Sequence, residues 1–376
     1  VASQVAAIRA HSGYGAQFSD GRNPNAPQGL ALPTPPAANC VSNMVNVTSL
    51  AQFNIEAAGS CKRIVLAPSA TPYVGWARIT GQDIEAVFTG ATISPNDDSW
   101  ALQVTEDAAR VKTVGGTFNN LYVVGGNRWS PGGSLPNFVR DVHIYGATFV
   151  GAYTQGLSST YYGDGANARA HRFLLERTSI RSANGGFFIE SGSTNMVLAN
   201  SNIVVPNFGA RHENPVRVNG GDLVVLLDTR LRTETSGGYV GPIKHTWRSH
   251  GGTEGAGGRI LVWGVQSEGG GSMGQYPGVE FAEAQSTFLA VQGWRYYRAP
   301  DVEGNNIFAF PHLNIYAGSP YLGAVMNAEV WMDDNTVYYD GLPAGTSILG
   351  ASNAPPGPVT RSVYAPYQAA PAWTFK

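Results

Sequence analysis

Charge is scarce in this chain. Only 13% of its 376 residues are Asp, Glu, Lys or Arg, and the formal net charge is -2. Its surface must therefore be covered largely by Ser, Thr, Asn, Gln and Gly. The near-neutral balance gives no electrostatic basis for nucleic-acid binding, because phosphate-binding domains are usually clearly basic. Long apolar runs are also missing. The longest, such as "LVVLL" at 223–227, are strand-sized, so no membrane span is expected. Cysteine is limited to Cys40 and Cys61. They flank about twenty residues, a loop long enough for a useful crosslink. This favours a disulfide in an exported protein over two buried thiols in a cytosolic one. The opening "VASQVAAIRAHSG" has no basic stretch ahead of an apolar core, so any export leader is expected to have been removed. No GxSxG element supports a Ser–His–Asp arrangement, and no HExxH spacing points to zinc.

Glycine, by contrast, is abundant at 47 residues, which suits a fold with many tight turns. "VASQVAAIRA" reads as a short amphipathic helix with Val5, Ala6 and Ile8 on one side. "NPNAPQGLALPTPPAANC" reads as an extended Pro-rich segment. "TSLAQFNIEAAG" reads as a second helix, capped by Thr48 or Ser49 and stopped at Gly59. The tail from about 341 is rich in Pro and Gly. Its anchors Tyr364, Tyr367 and Trp373 predict that it wraps the body. The expected divisions are 1–61 as cap and extended segment, 62–340 as body, and 341–376 as packed tail.

The body carries a repeat. "VHIYGATFV" (142–150), "FLLERTSIR" (173–181), "MVLANSNIVV" (196–205), "LVVLLDTRLR" (223–232), "ILVWGVQSE" (260–268), "TFLAVQGWR" (287–295) and "LNIYAGSP" (313–320) read as strands. A second short strand is expected after each: "GLSSTYY", "GFFIESG", "NPVRVNGG", "KHTWRSHGG", "GVEFAEA", "NIFAFPH" and "NAEVWMDD". The spacing, roughly 25–30 residues, is that of a solenoid. Propellers need four strands per blade, and sandwiches favour two-residue hairpins. With its paired strands and its Asn- and Gly-rich turns, as in "LANSNIVV" and "GTFNNLYVVGG", the chain from about 62 to 340 resembles the right-handed parallel β-helix proteins of the pectate-lyase-like superfamily. The resemblance implies an all-β solenoid, and because an uncapped solenoid leaves an edge of unpaired strands, a short N-terminal helical cap is expected to close its open end. The superfamily holds polysaccharide lyases, glycoside hydrolases, epimerases and phage tail spikes, so fold alone does not choose an activity.

Two stretches concentrate the few cations: "RHENPVRVNGG" (211–221) and "IKHTWRSHGG" (243–252). Aligning the coils on Ser191–Gly192, Gly220–Gly221 and Gly251–Gly252 puts Glu190, Asn219 and His250 in one column. Phe188, Arg217 and Arg248 then form the neighbouring outward column, with Val216, Val218 and Trp247 facing the core. Arg211, His212, Glu213, Lys244 and His245 are expected at one rim, and Glu280 at the edge. Like charges stacked across strands destabilise a sheet, so an anionic ligand would relieve the cost. The competing reading is a solvated ladder pairing Arg217 with Glu190 or Glu213, and Arg248 with Glu280.

An anionic, uronate-containing polysaccharide is the expected partner. Lyase chemistry there removes the proton beside the carboxylate and expels the 4-linked oxygen. Arg217 and Arg248 would neutralise the carboxylate, Lys244 or His245 would act as base, and His212 or His250 as acid or orienter. Neighbouring cations lower the pKa of Lys244, which helps it act as a base. Arg211, Glu213, Asn219, His250, Glu190, Tyr162, Tyr239 and Glu280 complete the expected binding set, with Tyr161 and Phe188 as further sugar platforms. Glu268, expected in a loop off this face, would be a neutral control. Zinc on His212, His245, His250 and Glu213 is opposed by the surrounding cations. Calcium through Asp97, Asp98 or Asp164 stays open. The overall expectation is a secreted or periplasmic carbon–oxygen lyase acting on polysaccharide. The alternatives are a hydrolase using Glu190 with Glu280 or Asp164, and a noncatalytic binding module.

Overall fold

A computed structural model describes residues 1–21, 28–96, 100–105, 107–124, 139–151, 166–182, 185–190, 192–206, 214–219, 221–234, 243–246, 258–269, 279–282, 287–297, 309–310, 313–317, 328–332, 337–340, 347–349 and 372–376. Among them the chain is all-β apart from four short helices: α1 (Ala2–Ala10), α2 (Gly15–Ser19), α3 (Ala38–Ser42) and α4 (Leu50–Ala57). The strands form three ladders, here A, B and C, and successive strands visit them in that order. Thr194–Ala199 lies in ladder A, Asn202–Pro206 in B, Val216–Asn219 in C, and Asp222–Leu227 is again in A. Each strand pairs in parallel with its counterpart one circuit later. The described exception is the antiparallel contact of Tyr296 and Tyr297 with Phe310 and Ala309. This succession of large parallel ladders is compatible with a parallel β-helix. Ladder A begins at Met44–Val47 and ends at Ser347–Leu349, so paired strands lie on both sides of 62 and 340.

The first six repeat segments are each two strands, not one. A bend between ladders A and B splits each at a left-handed residue: Gly146, Arg177, Asn200, Asp228, Gly264 and Gly293, with φ between 45° and 66°. The amides of Gly146, Arg177, Asn200, Asp228 and Gly264 each reach a carbonyl one circuit on, as in Asn200 N–H to Leu227 O at 2.8 Å and Asp228 N–H to Trp263 O at 2.8 Å. The next residue turns inward and is buried, as at Ala147, Thr178, Ser201 and Thr229. Toward the C-terminus the assignment slips by one strand. Leu313–Ala317 belongs to ladder C and Ala328–Met332 to ladder A, the reverse of the alternation expected from sequence.

The core follows from period-2 alternation within each strand. Val216, Val218 and Ile243 are fully buried, as are Ile203, Leu226 and Ile260. A run of neighbouring rings threads it: Phe53, Phe88, Phe118 and Phe149, with successive centroids 5.0, 5.2 and 5.4 Å apart, tilted, edge-on and stacked in turn. α4 supplies Phe53 and Ala57 to this core. Its Ser49 Oγ accepts the Gln52 amide, the N-cap bond the sequence foreshadowed.

α1 and α2 sit elsewhere, and here the sequence expectation is corrected. They do not close an end but lie on the outer face of ladder A. The outward column of that ladder is polar at Arg63, Glu85, Lys112 and His143. It then turns apolar at Leu174, Val197, Val225, Leu261 and Ala290. Val5, Ile8, Tyr14, Phe18 and Leu30 cover the apolar half. This is why "MVLA" and "LVVLL" read as continuous apolar runs: strands buried on both faces do not alternate. Cys40 and Cys61 form a disulfide, tying α3 to the start of the strand Lys62–Leu66. Among the described residues no helix is long and apolar enough to cross a membrane. In the tail, Tyr364 and Tyr367 lie outside the described residues. Residues 372–376 lie against the A–B bend, where Lys376 bonds Asn200 and Asp228.

Candidate functional site

The cationic stretch falls on ladder C. Val216 pairs with Ile243, so the apolar core positions set the register, and Arg217 stands beside Lys244. Lys244 in turn stands beside Glu280. On the other side, Arg217 neighbours Phe188. One register column is therefore Phe188, Arg217, Lys244 and Glu280, with strands about 4.8 Å apart. Arg217 is half-buried between the fully buried Val216 and Val218. Its guanidinium carbon lies 5.1 Å from the Phe188 ring centroid, a cation–π contact. Its buried Nε has no hydrogen-bond partner.

Register corrects three parts of the sequence alignment. The residue beside Arg217 is Lys244, not Arg248. The residue beside Asn219 is Thr246, not His250. His245 takes the position beside Val218, in phase with the core position of Ile243 rather than with Arg217. The alignment on Gly pairs assumed equal spacing between strand and glycines. Pairing of Val216 with Ile243 puts four residues less between the two strands than that alignment required. Arg211, His212, Glu213, Tyr161, Tyr162, Tyr239, Trp247, Arg248 and His250 lie outside the described residues, as do Asp97, Asp98 and Asp164. Glu190 is described and buried, with 9% of its surface exposed. Glu268 is not in a loop but on the ladder B strand Gln266–Gly269, where its two oxygens accept Arg230 Nε at 2.7 Å and Nη2 at 2.6 Å. It is thus unsuitable as a neutral control. Among the described residues no group of His, Cys, Asp and Glu could hold a metal ion.

The same column extends well beyond the four residues singled out by sequence. Upstream it runs through Arg78, Gln103, Tyr122 and Asn167. Downstream it reaches Tyr316 and Asp340. Polar and aromatic residue types occupy every one of these positions, whereas flanking Ala77, Ile79, Leu102 and Val104 are fully buried.

A second polar row, at the start of the ladder A strands, escaped the sequence reading. Asp83, Arg110, Asp141, Arg172 and Asn195 succeed one another along it, each with φ between 53° and 57°. Asp83 holds Arg110 through two bonds, Nε at 2.8 Å and Nη2 at 2.6 Å. Asp141 holds Arg172 likewise, at 2.6 and 2.7 Å. The Arg110 hydrogen bond holds the Asp83 carboxyl below its ordinary pKa. Burial would raise Asp141, but Arg172 and the Thr34 amide outweigh it and lower it. Beside this row, burial and the charges of Arg172, Arg140 and Arg169 push His171 down to about 4. On the outer face, His143 Nε2 lies 2.9 Å from Glu176 and lowers that carboxyl.

The fold and site together define a class: an all-β protein of large parallel ladders, with a mixed polar and aromatic row on one of them. No protein-family model matches the chain, and no curated protein matches it.

Proposed function

We propose that the chain is a right-handed parallel β-helix of the pectate-lyase-like kind, exported from the cell, that cleaves a uronate-containing polysaccharide by β-elimination. The observation carrying this reading is the adjacency of Arg217 and Lys244 in a row of polar and aromatic positions. In this proposal Arg217 takes the uronate carboxylate, where negative charge develops in the transition state. Lys244 acts as base. Glu280 orients Lys244, and the rest of the row holds the sugars on either side. The disulfide fits an oxidising compartment.

The test is a panel of anionic and neutral polysaccharides, read by the ultraviolet absorbance of an unsaturated uronate and by new reducing ends. Elimination yields both, and hydrolysis yields reducing ends alone. Arg217→Ala is expected to lower turnover by about 10²–10³-fold with little change in stability. Full activity in a folded Arg217→Ala protein would sink the proposal.

A second reading has its own support. Phe188 shields Arg217, and Lys244 stands between Arg217 and Glu280, so the column partly compensates its own charge. That suits a noncatalytic polysaccharide-binding surface. Retention on an anionic polysaccharide without any product would favour it.

A further inference from the structure

Residues 28–37 cross the outer face of ladder A along the stacking direction of the strands, and their bonds to it follow a fixed step. The Ala31 amide donates to Asn195 Oδ1 at 2.7 Å. The Thr34 amide donates to Asp141 Oδ1 at 2.8 Å, and the Ala37 amide to Asp83 Oδ1 at 3.1 Å. The donors recur every third residue. The acceptors recur on every second strand, since Arg172 separates Asn195 from Asp141 and Arg110 separates Asp141 from Asp83. Two strand spacings are about 9.6 Å. Three residues of polyproline II span about 9.3 Å. The two repeats match, and Ala37 has φ -61° and ψ 142°, values of that helix.

The sequence obeys the same phase. In "ALPTPPA", residues 31–37, prolines stand at 33, 35 and 36, and none stands at a donor position. Proline has no amide hydrogen, so one at 31, 34 or 37 would remove a bond. The intervening arginines are turned to the same end. Arg110 and Arg172 grip Asp83 and Asp141 from the strand side, leaving the same Oδ1 atoms to accept the strap's amides.

We propose that the row Asp83–Asp141–Asn195 is a binding site for a polyproline II strand, and that residues 28–37 are its resident, separable ligand. The site reads amide position every third residue, so it accepts proline at the other two. A sheet binds this strand across its rungs, and not by adding a strand at its edge.

The probe is a labelled synthetic peptide of residues 1–37. The host is the full chain carrying a specific protease site inserted between Ala37 and Ala38 and then cut. The expected result is that the cut segment stays with the body on size exclusion, and that the labelled peptide exchanges into it at one per chain. A Thr34→Pro peptide should bind at least about tenfold more weakly than a Thr34→Ala peptide, which lacks the hydroxyl but keeps the amide. Equal binding of the two would overturn the proposal. So would loss of the cut segment from a body that keeps its circular dichroism. Should the cut body unfold, the intact Thr34→Pro and Thr34→Ala chains decide. Faster amide exchange across residues 28–37 in Thr34→Pro alone supports the site, and equal exchange overturns it.

Discussion

His171 is a residue whose environment works against its charge. It donates to or accepts from Thr194 Oγ1 at 3.0 Å and is surrounded by Arg140, Arg169 and Arg172. Its folded pKa, about 4, lies below the unfolded value of about 6.5. The unfolded chain therefore takes up the proton first as pH falls. The neutral histidine's contribution is complete above pH 6.5 and is lost progressively down to about 4, by as much as roughly 3 kcal/mol. Urea unfolding of wild type and His171→Gln between pH 7 and pH 4 should show this slope in wild type and not in the variant. Asp141 has the opposite chemistry but the same direction. Its lowered carboxyl pKa stabilises the fold above its unfolded value and ceases to do so as pH falls below it. Asp141→Ala leaves Arg172 half-buried without its bidentate partner and should cost about 3 kcal/mol. The same urea series at pH 7 checks it.

Among the elements, the A–B bend shows how a repeat tolerates different residues at one backbone position. Gly146 and Gly264 both have positive φ, 66° and 64°. A Cβ on Gly146 would meet nothing within 4 Å, whereas one on Gly264 would lie 2.4 Å from Asp228 Oδ1. That oxygen is also the partner of Lys376 Nζ, so it is not free to swing away. Gly146→Ala should cost about 1 kcal/mol, the left-handed strain alone. Gly264→Ala should cost clearly more, and it should also raise amide exchange in residues 372–376. Equal stability of the two variants would contradict the steric account. The bend was present in the sequence as G, R, N, D, G and G at matching positions of the repeat, but each segment read as one strand because nothing local marks Arg177 as left-handed. The Asp–Arg row was equally present, as the second residue of "QDI", "ARV", "RDV", "HRF" and "TNM". It went unread because charges 27 to 31 residues apart become neighbours only when the strands stack.

At the scale of the molecule, the disulfide and an apolar cover both help hold the N-terminal region to the ladders. The disulfide closes the loop between Cys40 and Cys61, a separation of 21 residues. Cys40→Ser with Cys61→Ser should lose about 3 kcal/mol, read as a lower melting temperature that reductant no longer changes. The second hold is apolar. Removing residues 1–21 uncovers Leu174, Val197, Val225 and Leu261 together on one face. The truncated chain should self-associate on size exclusion, since apolar patches of this kind are rare on monomers. A truncated chain that runs as a monomer would show that the cover is dispensable.

The sequence by itself determined the β class, the length of the repeat, the disulfide pair, the α4 helix and the inward set at Val216 and Val218. These depend on near neighbours: alternation, a capping serine, spacing along the chain. Tertiary structure decided where the strands stand against one another. Lys244 rather than Arg248 faces Arg217, because core pairing of Val216 with Ile243 outweighs any alignment of glycines. It also decided where α1 lies. Continuous apolar runs at 196–199 and 223–227 say that a strand is covered on both faces, but not by which part of the chain. That choice rests on a cover of the right shape and on acceptors at the right spacing, which exist only once the ladders are formed.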